Sequence, residues 1–107
     1  MTNTSTQPRE KKEQKRKGQL PYNVILLNDD KHSFVYVVRM LKTLFSHPPE
    51  RGYRMALEVH TTGRAIVATL DLEQAELKRD QIHAFGPDPL VRRCKGSMSA
   101  IIELAHG

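Results

Sequence analysis

Tyr22-Asn23-Val24-Ile25-Leu26-Leu27-Asn28-Asp29-Asp30 is an apolar run that stops abruptly at one amide and two adjacent carboxylates. Apolar residues bounded by Asn and Asp read as a buried strand, over about Tyr22 to Leu27, whose end emerges into solvent at a turn. A cluster of acceptors is thereby held at the tip of a rigid element. On the strand alone, Asn28, Asp29 and Asp30 fit turn and cap duty as well as they fit a ligand site.

Downstream, Phe34, Val37, Val38, Leu41, Leu44 and Phe45 follow the i, i+3, i+4, i+7 spacing of an amphipathic helix, with Ser33 placed to cap it. His47-Pro48-Pro49 breaks the chain, and a second helix is predicted from Glu50 to about His60, with Pro49 suited to its first turn and Tyr53, Ala56, Leu57 and His60 as its apolar stripe. Gly63 stands at a C-terminal cap position, and Ala65 to Leu70 reads as a second strand. Asp71 with Gln74 resembles a capping box for a third helix to about Ala84, which Gly86-Pro87 ends. Pro87 to Gly96 reads as an irregular, positively charged loop. Met98 to Leu104 reads as a last strand, although its periodicity also permits a short helix. The order β-α-α-β-α-β implies an α+β fold, a three-stranded sheet with three helices packed on one face. Strand neighbours and directions stay open.

With 107 residues, 38% of them apolar, the chain supports one small domain with a single core. Residues 1–20 are polar and charged, with almost nothing apolar to offset the entropy of ordering them, so they are expected to form a disordered extension to a core domain over 21–107. The net charge of +5 suggests an acidic partner, yet most of the excess sits between Arg9 and Lys17. One cysteine, Cys94, allows no intrachain disulfide. With no signal-like run and no apolar stretch of about 20 residues, the expectation is a soluble cytoplasmic protein.

Two rival classes draw on the same residues. A nucleic-acid-binding module would use the basic extension and the Arg92-Arg93-Cys94-Lys95 loop, but no aromatic residue is interleaved in the basic run for base stacking. A metal-dependent hydrolase would use Asp29, Asp30, His32, His47 and His60, but no His-Glu-x-x-His motif is present. Neither a metal nor another cofactor is expected.

Four segments in order carry a resemblance: Pro21 to Asp30, Val59-His60-x-x-Gly63, Glu73-x-Ala75-Glu76-x-Lys78, and Ile102-Glu103. Together they resemble the ClpS family, adaptors that hand N-degron substrates to a ClpA- or ClpC-type AAA+ unfoldase. The resemblance covers about Tyr22 to Ala105 and implies a monomeric binding module, not an enzyme. It implies that Asn28, Asp30 and a neutral His60 receive the substrate's α-amine, with Asp29 as a neighbour. It also implies that Leu26, Phe34, Val37, Ala56, Val59 and Met98 form the pocket for a bulky N-terminal side chain, and that Glu73 and Lys78 contact the unfoldase. Physical chemistry supports such a set, since an α-amine has three donors and needs converging acceptors, at least one of them anionic, to offset its lost hydration. Read without the resemblance, His60 closes a helix C-terminus, the apolar residues are core, and Glu73 and Lys78 are solvated surface charges.

The chain departs from the family pattern in three places. Lys31-His32-Ser33-Phe34 replaces a Tyr-Thr-Pro-Met turn, Ala56 replaces a pocket methionine, and the loop from Gly86 to Lys95 differs. Losing the methionine deepens the pocket, and Phe34 is expected to stay at its rim, so side chains branched at Cβ are expected to be accepted.

Overall fold

Three successive apolar residues in a strand need cover on both faces, and Val24, Ile25 and Leu26 of β1 (Pro21–Leu27) have it, each fully buried. The computed structural model describes residues 20–106. The basic run from Arg9 to Lys17, and the disorder expected of residues 1–20, fall outside the described residues except at Leu20. After β1 come α1 (Phe34–Phe45), α2 (Pro49–Thr62), β2 (Arg64–Asp71), α3 (Leu72–His83) and β3 (Ser99–Leu104), the predicted order. The last segment is a strand, which removes the helical alternative.

β1 is the middle strand of a three-stranded sheet in the order β2–β1–β3, antiparallel to both neighbours. Alternation along β1 sends Val24 and Leu26 to the helix-covered face and Ile25 to the other, where its cross-strand partners Ile66 and Ile101 cover it. The helical layer closes the core with Tyr36, Val37, Met40 and Leu41 from α1, Ala56 and Val59 from α2, and Ala75 and Ile82 from α3.

The caps behave as their residue types dictate. The Ser33 hydroxyl accepts from the Tyr36 N–H at 3.1 Å, and Asp71 Oδ1 accepts from the Gln74 N–H at 2.8 Å. The stripe expected on α2 needs correction. Its buried positions are Gly52, Ala56 and Val59, while Tyr53, Leu57 and His60 face outward. α2 turns Gly52 toward α1, close enough that a Cβ there would lie 3.4 Å from the Val38 Cα. Glycine therefore sets the contact face, and the large side chain beside it is turned out.

Candidate binding site

The tip of β1 is fastened to the end of α2. The Asn28 N–H donates to the Gly63 carbonyl at 3.0 Å, and Gly63, at φ 95°, closes α2 by donating its own N–H to the Val59 carbonyl at 2.9 Å. This junction brings Asn28 and His60, far apart in sequence, to one place. Two residues on, Asp30 sits at φ 60°, a left-handed conformation that Asp tolerates better than most residues. Asn28 holds it there: its Nδ2 donates to Asp30 Oδ1 at 3.0 Å, and its Oδ1 accepts the Asp30 N–H at 3.3 Å. The turn is a preset acceptor cluster, with the carboxylate oriented before any ligand arrives.

Beside this cluster lies a cavity of about 170 Å³, between the start of α1, the second half of α2 and the residue before β3. Asn28, Asp30, His32 and His60 supply its polar lining, and Phe34, Val37, Ala56, Val59 and Met98 its apolar wall. A dry cavity of about 150 Å³ is enough to take up a benzene ring, so the space suits one large side chain. Phe34 packs edge-on against Tyr53 and His60, with ring centroids 5.5 and 5.6 Å away.

Two of the expected site residues stand outside the lining. Leu26 is fully buried in the core beneath the cavity face of the sheet. Asp29 points away from the cavity, its Oδ1 accepting from the Lys31 N–H at 2.9 Å and lying 3.0 Å from His32 Nδ1. Its role in this geometry is to orient His32.

His32, which sequence reasoning weighed only as a metal ligand, is part of the cavity and nearly inaccessible. Its Nε2 lies 2.8 Å from the Gly96 carbonyl and 3.1 Å from Cys94 Sγ. The ring thus ties the turn after β1 to the loop that delivers Met98. Asp88, 2% exposed, makes the second tie. Its Oδ2 accepts the Ser33 N–H at 2.7 Å and its Oδ1 the Leu90 N–H at 2.9 Å. Burial pushes the Asp88 carboxyl up, but these two N–H groups, with the Ser33 hydroxyl and His32 nearby, outweigh it and hold the group below its ordinary value. The Tyr36 hydroxyl, whose pKa burial raises, adds a third tie by donating to the Gly86 carbonyl. The loop is irregular in backbone yet pinned at three points.

The remaining candidates separate. Glu73 is exposed in the first turn of α3. Lys78 is engaged within the chain: its Nζ donates to the Leu44 carbonyl at 2.7 Å and lies over the Phe45 ring. His47 Nε2 meets the Val67 carbonyl at 2.7 Å, far from the acceptor cluster in sequence and partners. Among the described residues, no three His, Cys, Asp or Glu side chains converge as a metal site would require. Arg92, Arg93 and Lys95 are exposed, whereas Cys94 between them is buried. Among the described residues, no helix is long and apolar enough to cross a membrane.

Comparison with known proteins shows the family and agrees with the fold. The family model described as the ATP-dependent Clp protease adaptor protein ClpS matches residues 17–90. The ClpS adapter protein of Pectobacterium carotovorum is 39% identical over 74 residues, 67% of this chain and 70% of that protein. That of Bdellovibrio bacteriovorus is 38% identical over 64 residues, 60% of this chain and 56% of that protein. A solved structure of Agrobacterium tumefaciens ClpS2 bound to L-phenylalaninamide aligns with a TM-score of 0.71 at 25% identity, covering 81% of this chain and 99% of that one. The chain belongs to the ClpS family of Clp protease adaptors.

Proposed function

We propose that the chain captures polypeptides by a free N-terminal amine and a bulky apolar first side chain, and presents them to a ClpA- or ClpC-type AAA+ unfoldase for degradation. The observation that carries this reading is the meeting of Asn28, Asp30 and His60 at one side of an apolar cavity sized for a single side chain. The Agrobacterium relative's ligand, phenylalaninamide, has the matching chemistry: a free amine, a ring, and no carboxylate to oppose Asp30.

In this reading Asp30 supplies the anion, Asn28 Oδ1 a neutral acceptor, and the unprotonated His60 ring a third, an arrangement for capturing an N-terminal amine. Burying one large apolar side chain contributes about 1.5 to 3 kcal/mol, and each hydrogen bond to the charged amine about 1.5 to 3. Asp29 and Leu26 support the site from behind. Glu73 on the exposed side of α3 contacts the unfoldase, with Lys78 shaping that surface. The adaptor works as a monomer in the cytoplasm, where the free thiol of Cys94 stays reduced.

Short peptides that differ only in their first residue test this reading by calorimetry. Phe, Leu, Tyr and Trp peptides are expected to bind at least about tenfold more tightly than Ser or Asp peptides, a gap of 1.4 kcal/mol or more. Affinities that ignore the first residue overturn the reading.

A further inference from the structure

Phe34 borders two spaces. One is the amine-binding cavity; the other is an outer groove of about 400 Å³ along α1, lined by Phe34, Val35, Val38, Arg39, Lys42 and Tyr53. Val35 is 61% exposed and Tyr53 52% exposed, large apolar surfaces for so small a domain. The groove's only charged lining residues are cations, and among the described residues neither Arg39 nor Lys42 has a carboxylate partner. An apolar floor bordered by two cations that have no carboxylate partner among the described residues fits a ligand carrying an apolar group followed by a carboxylate.

The groove adjoins the cavity at Phe34, which lines both. Phe34 packs against His60 of the amine site and against Tyr53 of the groove, so one ring joins the two spaces. From Phe34 to Lys42 the helix rises about 12 Å, at about 1.5 Å per residue. An extended peptide covers that in about four residues, at about 3.3 Å each.

We propose that the groove receives the residues following the N-terminal one in the bound polypeptide, about positions two to five, and favours an apolar side chain near Val38 and Tyr53 and a carboxylate against Arg39 and Lys42. This rests on the amine-site reading and extends it. The recognised element then becomes a short segment instead of a single residue. Exposed cations contribute to binding mainly through the choice among sequences and the rate of encounter.

Calorimetry with phenylalaninamide and with three N-terminal Phe peptides tests the proposal. The peptides are Phe-Gly-Leu-Gly-Glu-amide, Phe-Gly-Leu-Gly-Lys-amide and Phe-Gly-Gly-Gly-Gly-amide. The Glu peptide is expected to bind about five- to tenfold more tightly than the all-Gly peptide, from partial apolar burial and two exposed ion contacts. The double variant Arg39→Glu/Lys42→Glu is expected to invert the Glu-over-Lys preference and to leave phenylalaninamide affinity unchanged. If the three peptides bind alike while phenylalaninamide binds, the groove does not hold substrate and the proposal is overturned. If phenylalaninamide itself fails to bind, the amine-site reading falls and the groove's role as its continuation falls with it. Self-association in sedimentation that Val35→Asp abolishes, with no peptide preference, assigns the groove to a second copy and likewise overturns the proposal.

Discussion

At residue scale, the site depends on side chains whose partners lie far away in sequence. Asp88 is the clearest case. Its carboxylate holds the Ser33 N–H at the start of α1 and the Leu90 N–H in its own loop, and its folded value lies below the ordinary 3.8. A depressed carboxylate contributes stability that is fully present above its unfolded value and is lost as pH falls through the folded one. Asp88→Asn is therefore expected to cost about 1.5 to 3 kcal/mol in urea unfolding at pH 7, and the difference from wild type is expected to shrink below about pH 3.8. A difference that stays constant down to acid pH contradicts the latch. Nothing near Asp88 in the sequence announced this role, because its partner Ser33 is on another element; His32, bound to the Gly96 carbonyl, was hidden for the same reason. Ala56 was legible, since its departure from the family pattern falls on a residue that lines the cavity. Its small side chain predicts that peptides beginning with Ile or Val bind within about tenfold of Leu peptides, and that Ala56→Met selectively weakens the β-branched ligands. Equal losses for Leu and Ile peptides would place Ala56 away from the ligand's Cβ.

At the scale of elements, five were readable from their periods and flanking residues, while the period of the last, β3, left strand and helix open. The face of α2 was not readable, because rotation about a helix axis is decided by the partner it meets. Large apolar Tyr53 and Leu57 drew the expected stripe, yet the contact is made through Gly52. This contact has a testable asymmetry. Gly52→Ala adds helix propensity and places a Cβ at a tight but tolerable 3.4 Å, so its effect on urea stability is expected to stay within about 1 kcal/mol. Gly52→Leu is expected to cost about 1 to 3 kcal/mol by forcing α1 and α2 apart. If Leu is tolerated as well as Ala, the helices do not meet there. On α3, Glu73 lies in the exposed first turn while Lys78 is committed to the Leu44 carbonyl. Glu73→Lys is accordingly expected to weaken unfoldase binding by about threefold or more, on the scale of a rim charge, without changing peptide affinity. Loss of both activities together would point to misfolding of α3.

For the whole molecule, the sheet and helices act as a frame that brings the end of β1, the end of α2 and the loop before β3 to one cavity. A polar cluster at the strand's end was legible because Asn28, Asp29 and Asp30 interrupt an apolar strand. Its division of labour was not, since Asp29 turns to His32 and only Asp30 reaches the cavity, a distinction made by the left-handed turn at Asp30. The central claim is that this cluster recognises a charged amine. Calorimetric titration with phenylalaninamide and with N-acetyl-phenylalaninamide tests it most directly, since the two share a side chain and differ at the amine. The free amine is expected to bind at least about tenfold more tightly, a gap of 1.4 kcal/mol or more, and Asp30→Ala is expected to erase that gap. Equal affinity for the two ligands would contradict the account.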